Sequence, residues 1–221
     1  MATELIKADS LTYTHKKYDL LLTDPPYSLA IDNACYSRHN NGAACKEFDY
    51  NFNEQKLIDI VPDLLYENGT ALIFCARTQL SKYIDGLSKY LYFKNLLVWH
   101  KTNPAPFGRE SKYVNSDEYI LYFTKNSKKW TFNLEHYPFK TTYYFTPILQ
   151  GSERFNHPCQ KPEKLIKYLL KTHTHQNDTV VDLFAGTGTV AKCCQDLGIS
   201  STSFEINEYY YNICKKRLDI D

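Results

Sequence analysis

No apolar run in this sequence of 221 residues approaches the roughly 20 residues that a membrane-spanning helix needs, so we expect no membrane partner. The amino terminus reads Met-Ala-Thr-Glu and has no basic segment followed by an apolar stretch, so we expect no secretion signal. The seven cysteines include no C-x-x-C pair. Their odd number and scattered positions indicate reduced thiols in a cytoplasmic compartment rather than a disulfide framework.

Residues at metal-ligand spacing are also missing. His173-Thr174-His175 is the one close pair among the seven histidines, and no further Cys or His lies near it at ligand spacing. A polar helix end explains this pair better than a metal site does. We therefore predict that the protein binds no metal.

Composition and charge are ordinary for a globular protein. The apolar fraction of 43% and the charged fraction of 23% exclude disordered, collagen-like and fibrous classes. The net charge is +1, but residues 89–140 carry nine Lys and Arg against four Asp and Glu. Such a basic middle segment is compatible with a nucleic-acid surface and equally with a solvated face.

Short apolar runs alternate with helical patterns along the chain. The runs are mostly continuous, as in strands that helices cover on both faces of a sheet. Seven strands are predicted, at Leu5–Ile6, Asp19–Thr23, Ala71–Cys75, Leu96–Trp99, Tyr119–Phe123, Val180–Leu183 and Thr202–Glu205. Five helices are predicted, at Gln55–Tyr66, Thr78–Leu91, Glu163–Thr172, Thr189–Leu197 and Glu208–Leu218.

This alternation predicts an α/β fold, Rossmann-like and doubly wound, with a mixed seven-stranded sheet. No helical pattern separates the strands at 96–99 and 119–123, so we predict that they form an antiparallel hairpin at one edge. The stretches 28–53 and 125–155 show no clear periodicity and are predicted to be long functional loops.

A glycine turn follows the apolar run that starts at Val180. Gly186 and Gly188 lead into a helical pattern, and their lack of Cβ atoms lets the backbone approach a ligand. Glu205 lies 19 residues after Gly186, where a carboxylate can accept hydrogen bonds from both hydroxyls of a ribose. Neither the third glycine of a dinucleotide fingerprint nor the lysine of a P-loop is present. A nucleoside without a pyrophosphate therefore fits better than NAD or ATP, with a plain α/β connection as the alternative.

The segment Asp24-Pro25-Pro26-Tyr27 ends another apolar run. Its two prolines hold the backbone extended and stiff. The Asp24 carboxylate and the Pro25 carbonyl become two acceptors at a fixed spacing, with the Tyr27 ring beyond them. This trio complements the exocyclic amino group and the flat face of a base. For the isolated tetrapeptide, the alternative is a stiff strand exit whose Asp caps a helix and whose Tyr packs.

The order of these motifs resembles the S-adenosylmethionine-dependent amino-methyltransferases that act on DNA, in the permuted β group with a D-P-P-Y motif. The resemblance covers about residues 5–218. Its matching segments are Ala8-Asp9-Ser10, Asp24–Tyr27, Trp99-His100-Lys101-Thr102-Asn103, Asp117-Glu118-Tyr119, His157–Pro162, Phe184–Gly188 and Glu205–Tyr210. Two departures are a short stretch where the family has its target-recognition region, and Ser203 where the family often has glycine.

The resemblance implies one methyltransferase domain over residues 1–221, with a catalytic half at 1–124, a short target-recognition insert at 125–156 and a cofactor-binding half at 157–221. It implies S-adenosylmethionine as cofactor, no metal, and double- or single-stranded DNA as partner. The implied catalytic residues are Asp24, Pro25, Pro26 and Tyr27. The implied cofactor-binding residues are Asp9, Asp24, His157, Gln160, Lys161, Asp182, Phe184, Ala185, Gly186, Thr187, Gly188, Thr189, Glu205 and Asn207. Asn103 and Arg109 are predicted to contact the nucleic acid.

The expected reaction is methyl transfer to the N6 amino group of a flipped-out adenine in DNA. Asp at position 24 favours adenine in this family, and cytosine-N4 methylation is the nearest alternative. RNA adenine-N6 methylation also stays open, because a pocket for a flipped base does not exclude a 2′-hydroxyl. A non-catalytic nucleic-acid-binding subunit is disfavoured by the intact Asp24, Gly186, Gly188 and Glu205. The sequence leaves open a homodimer, an accessory or restriction partner, and the recognition site.

Overall fold

The computed structural model describes residues 2–13, 16–27, 52–104, 113–134, 139–151, 154–155 and 159–220, which form an eight-stranded sheet with helices on both faces. The strands are β1 Thr3–Ile6, β2 Tyr18–Thr23, β3 Leu65–Cys75, β4 Tyr92–Lys101, β5 Asp117–Thr124, β6 Tyr143–Thr146, β7 Thr179–Asp182 and β8 Ser200–Phe204. The helices are α1 Glu54–Ile60, α2 Leu80–Leu87, α3 Glu163–His173, α4 Thr189–Leu197 and α5 Glu208–Leu218. A short 3₁₀ helix, Val61–Leu64, follows α1.

The strand order in the sheet is β1-β8-β7-β2-β3-β5-β4-β6. β5 runs antiparallel to both of its neighbours, and the other neighbouring pairs are parallel. β2 and β7 pair through Leu20–Val180 and Leu21–Val181. The carboxyl ends of β2, β7 and β8 therefore meet at one edge of the sheet, together with the amino end of β5. The predicted α/β class, with a mixed and doubly wound sheet, is confirmed.

Two apolar layers explain why the strands read as continuous apolar runs. Leu21 of β2 packs in the layer that holds α1 and α2, whereas Leu20 and Leu22 pack in the layer that holds α3 and α4. Successive side chains of a strand point to opposite faces, so a strand covered on both sides needs an apolar residue at every position.

The predicted number of seven strands was wrong, because β6 lies within the stretch that was expected to be a loop. β6 has four residues, and three of them are aromatic, so its pattern shows no clear apolar alternation. It pairs in parallel with β4 on the side away from β5. The antiparallel pair of β4 and β5 is present, but β6 rather than that pair forms the edge of the sheet.

The predicted helix at Gln55–Tyr66 extends too far. The α-helix ends at Ile60, and residues Val61–Leu64 tighten into a 3₁₀ turn with Pro62 in its first turn. Proline has no N–H to continue the helix and its ring crowds the preceding turn, so the helix cannot pass this position unchanged. Leu65 and Tyr66 begin β3 instead.

Candidate active site

Asp24 and the glycine turn start from neighbouring strands that a buried hydrogen bond links. The hydroxyl of Thr23, at the end of β2, donates to Asp182 Oδ1, at the end of β7, at 2.9 Å. The N–H of Leu183 donates back to the Thr23 hydroxyl at 3.1 Å. Burial raises the pKa of Asp182 to about 7, although the Phe184 N–H and the Thr23 hydroxyl, which both donate to this carboxylate, oppose the shift. The segments that follow β2 and β7 therefore start side by side.

Asp24 belongs to a connected group of five side chains, which we call the Asp24 cluster: Asp24, Tyr27, Lys101, Glu118 and Lys161. The Lys161 ammonium contacts Asp24 Oδ2 and lies 3.1 Å from Glu118 Oε2. The Tyr27 hydroxyl lies 2.8 Å from Asp24 Oδ1 and 3.1 Å from Glu118 Oε2. Lys101 Nζ is 2.7 Å from Glu118 Oε1. The cluster thus joins the ends of β2, β4 and β5 to the segment before α3.

Burial and ion pairing compete within the Asp24 cluster. Burial raises the pKa of Asp24, and the Lys161 ammonium opposes that rise. Burial also acts on Glu118, but Lys161 and Lys101 outweigh it and hold the pKa of Glu118 at about 2. Burial and the two carboxylates raise the pKa of Tyr27 well above its usual value, so its hydroxyl keeps its proton. Two carboxylates face two ammonium groups, and the cluster is electrically balanced.

Glu205 lies directly after β8 and is only 8% exposed. The N–H of Gly186 donates to its Oε2 at 2.7 Å, and the N–H of Asn207 donates to its Oε1 at 2.8 Å. Burial raises the pKa of Glu205, while these backbone donors lower it. Each carboxylate oxygen has a second lone pair, so the held side chain can still accept hydrogen bonds from a ligand.

Arg217 of α5 holds the glycine turn in place through hydrogen bonds. Its Nη1 donates to the carbonyl of Thr187 at 3.1 Å and to the hydroxyl of Thr189 at 3.1 Å. Its Nη2 donates to Glu163 Oε1 at 2.7 Å. The turn is therefore tied to the first residue of α3, two positions after Lys161.

Gly188 cannot be replaced without strain, which gives a prediction. Its φ of 77° is left-handed, and a Cβ added there would overlap the Sγ atom of the buried Cys214. We expect Gly188→Ala to lower the free energy of unfolding by about 3 kcal/mol, since the backbone strain and the overlap each cost about 1–3 kcal/mol. Urea unfolding measures this loss.

Gly198→Ala is the matched control for Gly188→Ala. Gly198 has a similar φ of 72°, but an added Cβ there would meet no atom within 4 Å. It should therefore cost only the strain of the left-handed backbone, about 1–2 kcal/mol. Equal losses for the two variants would show that the contact with Cys214 is not tight.

Three predicted cofactor residues use their side chains in local structure. Asp9, in the exposed turn after β1, accepts the N–H two residues later at 3.0 Å. Gln160 Oε1 accepts the N–H of Phe155 at 3.0 Å. Asn207 caps α5 by accepting the N–H two residues later at 2.9 Å. Asn207 also reaches Glu205 through its backbone, whereas Asp9 and Gln160 lie at other turns.

Five other predicted residues fall into three groups. Phe184 packs edge to face on Phe52 with ring centroids 5.4 Å apart, and the Ala185 N–H donates to the Phe204 carbonyl at 2.8 Å, so both belong to the turn between β7 and α4. Asn103 Oδ1 accepts the N–H of Ile148 at 2.7 Å and joins the chain after β4 to the chain after β6. His157 and Arg109 lie outside the described residues.

The proline segment is held from the side of α2. Pro25 is buried, and the Pro26 carbonyl accepts from Gln79 Nε2 at 3.3 Å. The same Gln79 nitrogen donates to Glu54 Oε1 at 2.6 Å. This support complements the stiffness that the two prolines give the backbone.

Sequence reasoning did not single out Glu118, Lys101, Gln79 or Arg217 as site residues. For Glu118 a signal was available, because it is a charged residue at the start of an otherwise apolar strand. Once β5 is known to run antiparallel, its amino end must lie beside the carboxyl ends of β2 and β3. Arg217 carries no comparable local signal.

Two kinds of feature are absent from the part of the chain that the structure describes. No three His, Cys, Asp or Glu side chains there converge in a group that could hold a metal ion. No helix in that part is both long enough and apolar enough to cross a membrane.

The chain is similar in sequence and in structure to several methyltransferases. The type II methyltransferase M.HpaI of Haemophilus parainfluenzae is 30% identical, over 91% of this chain and 68% of its own length. The crystal structure of an M1.HpyAVI–SAM complex is 26% identical with a TM-score of 0.79, over 98% of this chain and 99% of that one. The cytosine-N4-specific PvuII DNA methyltransferase shares the fold, with 17% identity, a TM-score of 0.73 and coverage of 96% of this chain and 85% of that one.

The fold and these similarities thus define a methyltransferase with a Rossmann-like sheet. Residues 18–216 match the DNA methylase family that carries the N6/N4 designation, and the chain belongs to that family. The resemblance that the D-P-P-Y segment and the glycine turn indicated is confirmed at the level of the family.

Proposed function

We propose that this protein transfers a methyl group from S-adenosylmethionine to the exocyclic N6 amino group of adenine in DNA. The observation that carries the proposal is the buried hydrogen bond between Thr23 and Asp182. It holds the D-P-P-Y segment beside the glycine turn, so an acceptor for an amino group and a nucleoside site share one edge of the sheet. Asp rather than Ser at position 24 supports adenine over cytosine.

The residues after β7 and β8 fit a nucleoside cofactor. Glu205 is held by the turn itself, through Gly186, and can accept bonds from two ribose hydroxyls. Gly186 and Gly188 both have positive φ, which keeps side chains out of the turn. The similar M1.HpyAVI has been crystallised as a SAM complex, which supports the same cofactor here. When bound, that cofactor supplies a methyl group on an activated sulfonium.

In the proposed mechanism, this chain's residues position the amino nitrogen. The Asp24 carboxylate and the Pro25 carbonyl accept hydrogen bonds from its two N–H groups. These bonds favour a pyramidal nitrogen whose lone pair points at the methyl carbon. Asp24 or a water then accepts the proton that leaves. The base must leave the duplex to reach these acceptors, and the Tyr27 ring would stack on it.

The proposed division of the chain follows the sheet. The catalytic half, 1–124, contributes β1 to β5, and of these β1 pairs with β8 of the other half. The cofactor-binding half, 157–221, contributes β7 and β8 with α3 to α5. The insert at 125–156 contains β6. We further propose DNA as the partner, with Asn103 and Arg109 as contacts, and action in the cytoplasm.

The reaction is tested with methyl-tritiated S-adenosylmethionine and randomised pools of duplex DNA, single-stranded DNA and RNA, followed by nucleoside analysis. We expect label in N6-methyladenine from DNA. Label in N4-methylcytosine would show that cytosine, and not adenine, is the target base. Label in RNA alone would contradict a DNA substrate. Cofactor binding by calorimetry without any transfer would favour a non-catalytic subunit.

A further inference from the structure

Lys161, which the resemblance implied as a cofactor contact, lies at the proposed catalytic carboxylate. Its side chain is only 6% exposed, and its ammonium contacts Asp24 Oδ2. The ammonium lies 5.3 Å from the centre of the Tyr27 ring and 5.1 Å from that of Phe74. A buried ammonium is stable only where carboxylates and ring faces replace the water that it has lost.

Glu118 gives Lys161 a second carboxylate that does not belong to the D-P-P-Y segment. Its Oε2 lies 3.1 Å from Lys161 Nζ, and its Oε1 lies 2.7 Å from Lys101 Nζ. Because Lys101 holds the opposite oxygen, the Glu118 carboxylate is fixed in orientation. Lys161 therefore has a partner that remains in place when a substrate takes over the oxygens of Asp24.

We propose that Lys161 is a positioning residue that keeps Asp24 ionised for the target amino group, and that Glu118 anchors Lys161 for this task. The proposal rests on the proposed methyl transfer and deepens it. Without a base in the pocket, the ammonium balances the charge of Asp24. When the amino group donates to Asp24 Oδ2, the ammonium stays on Glu118, close enough to favour the ionised form of Asp24 without competing for that oxygen.

Lys161 and Glu118 act on the pKa of Asp24 in opposite directions, and each effect can be tested. Among the described residues, the titratable groups that interact with Asp24 are Tyr27 of its own segment, Cys75 of β3, Glu118 of β5, Lys161 before α3 and Asp182 of β7. Lys101 of β4 joins this group through Glu118. Burial raises the pKa of Asp24, Lys161 lowers it, and Glu118 raises it. Removing Lys161 must therefore raise that pKa further, and removing Glu118 must lower it.

The pH profile of methyl transfer measures these two shifts. Protonated Asp24 is neutral and a weaker hydrogen-bond acceptor, so its pKa sets the acid limb of kcat, the pH range in which kcat falls on the acid side. We expect Lys161→Met to raise the proton affinity of Asp24 by at least about tenfold, which moves the acid limb to higher pH. We expect Glu118→Gln to move it to lower pH. Lys161→Arg should restore the wild-type limb, and Lys167→Met, on α3 away from the cluster, is the matched control.

A carboxyl titration by carbon-13 NMR measures the same shifts without turnover. The Asp24 signal is identified by its loss in Asp24→Asn, and it should titrate at higher pH in Lys161→Met and at lower pH in Glu118→Gln. If the wild-type protein methylates neither base, the proposed function fails. This titration still tests whether Lys161 stabilises the ionised form of Asp24. Lys161→Arg and Glu118→Gln keep the test available if Lys161→Met does not fold.

The proposal is wrong if the acid limb and the carboxyl titration do not move, or if they move in the same direction in Lys161→Met and Glu118→Gln. It is also wrong if Lys161→Met weakens binding of S-adenosylmethionine in calorimetry while its pH profile stays as in wild type. That result would return Lys161 to the wall of the cofactor site.

Discussion

Asp24→Ala is expected to lower kcat for methyl transfer by about a thousandfold, while the variant still binds S-adenosylmethionine. A charged acceptor aimed at the reacting group in a buried site contributes about this much to a rate. The fold should survive the change, because Lys161 keeps Glu118 as a partner at 3.1 Å and is not left as an uncompensated charge. Single-turnover transfer and calorimetry on the same preparation measure the two quantities.

Two further variants make the Asp24 result specific. Asp24→Asn keeps the shape of the side chain but has one acceptor oxygen and no charge, so its kcat should also fall steeply. Asp85→Ala, at an exposed position of α2, should leave the rate as in wild type. Turnover near the wild-type rate in Asp24→Ala would remove Asp24 from the mechanism.

Glu205→Ala is expected to raise the Kd for S-adenosylmethionine by about a hundredfold. The carboxylate would bind two ribose hydroxyls, and hydrogen bonds to a charged group contribute about 1.5–3 kcal/mol each. The variant also removes the acceptor for the Gly186 N–H, so the turn itself loosens. Calorimetric titration with the cofactor measures the loss.

Glu208→Ala is the control for Glu205→Ala. Glu208 lies three residues later, in the first turn of α5, and its exposed carboxylate pairs with Lys7 at 3.1 Å. Its removal should leave cofactor affinity unchanged. A Glu205→Ala variant that binds the cofactor as tightly as wild type would contradict the assignment of the nucleoside site to the end of β8.

The parts of the fold that the sequence predicts are those with a local signature. Leu20 to Leu22 read as a buried strand because each successive side chain enters a different apolar layer. The turn after β7 also has a local signature, because the positive φ of Gly186 and Gly188 favours glycine at both positions. The pairing of β2 with β7 has no such local signature.

The parts that escaped prediction depend on contacts between distant segments. Glu118 meets Asp24 only because β5 lies antiparallel next to β3, a pairing that no short pattern encodes. Arg217 reaches Thr187 from a helix 30 residues later in the chain. β6 is stabilised by pairing with β4 and by Tyr144 packing on Tyr168 of α3, neither of which its four residues reveal.

The proximity of Asp24 to the transferable methyl group is measured most directly in a crystal structure of the protein with S-adenosylmethionine. The amino nitrogen must lie about 3 Å from the methyl carbon and about 3 Å from the carboxylate. We therefore predict that the methyl carbon lies within about 6 Å of an Asp24 oxygen, with room for one amino group between them. A cofactor bound away from the ends of β2 and β7, with its methyl group out of reach of Asp24, would contradict the proposed enzyme.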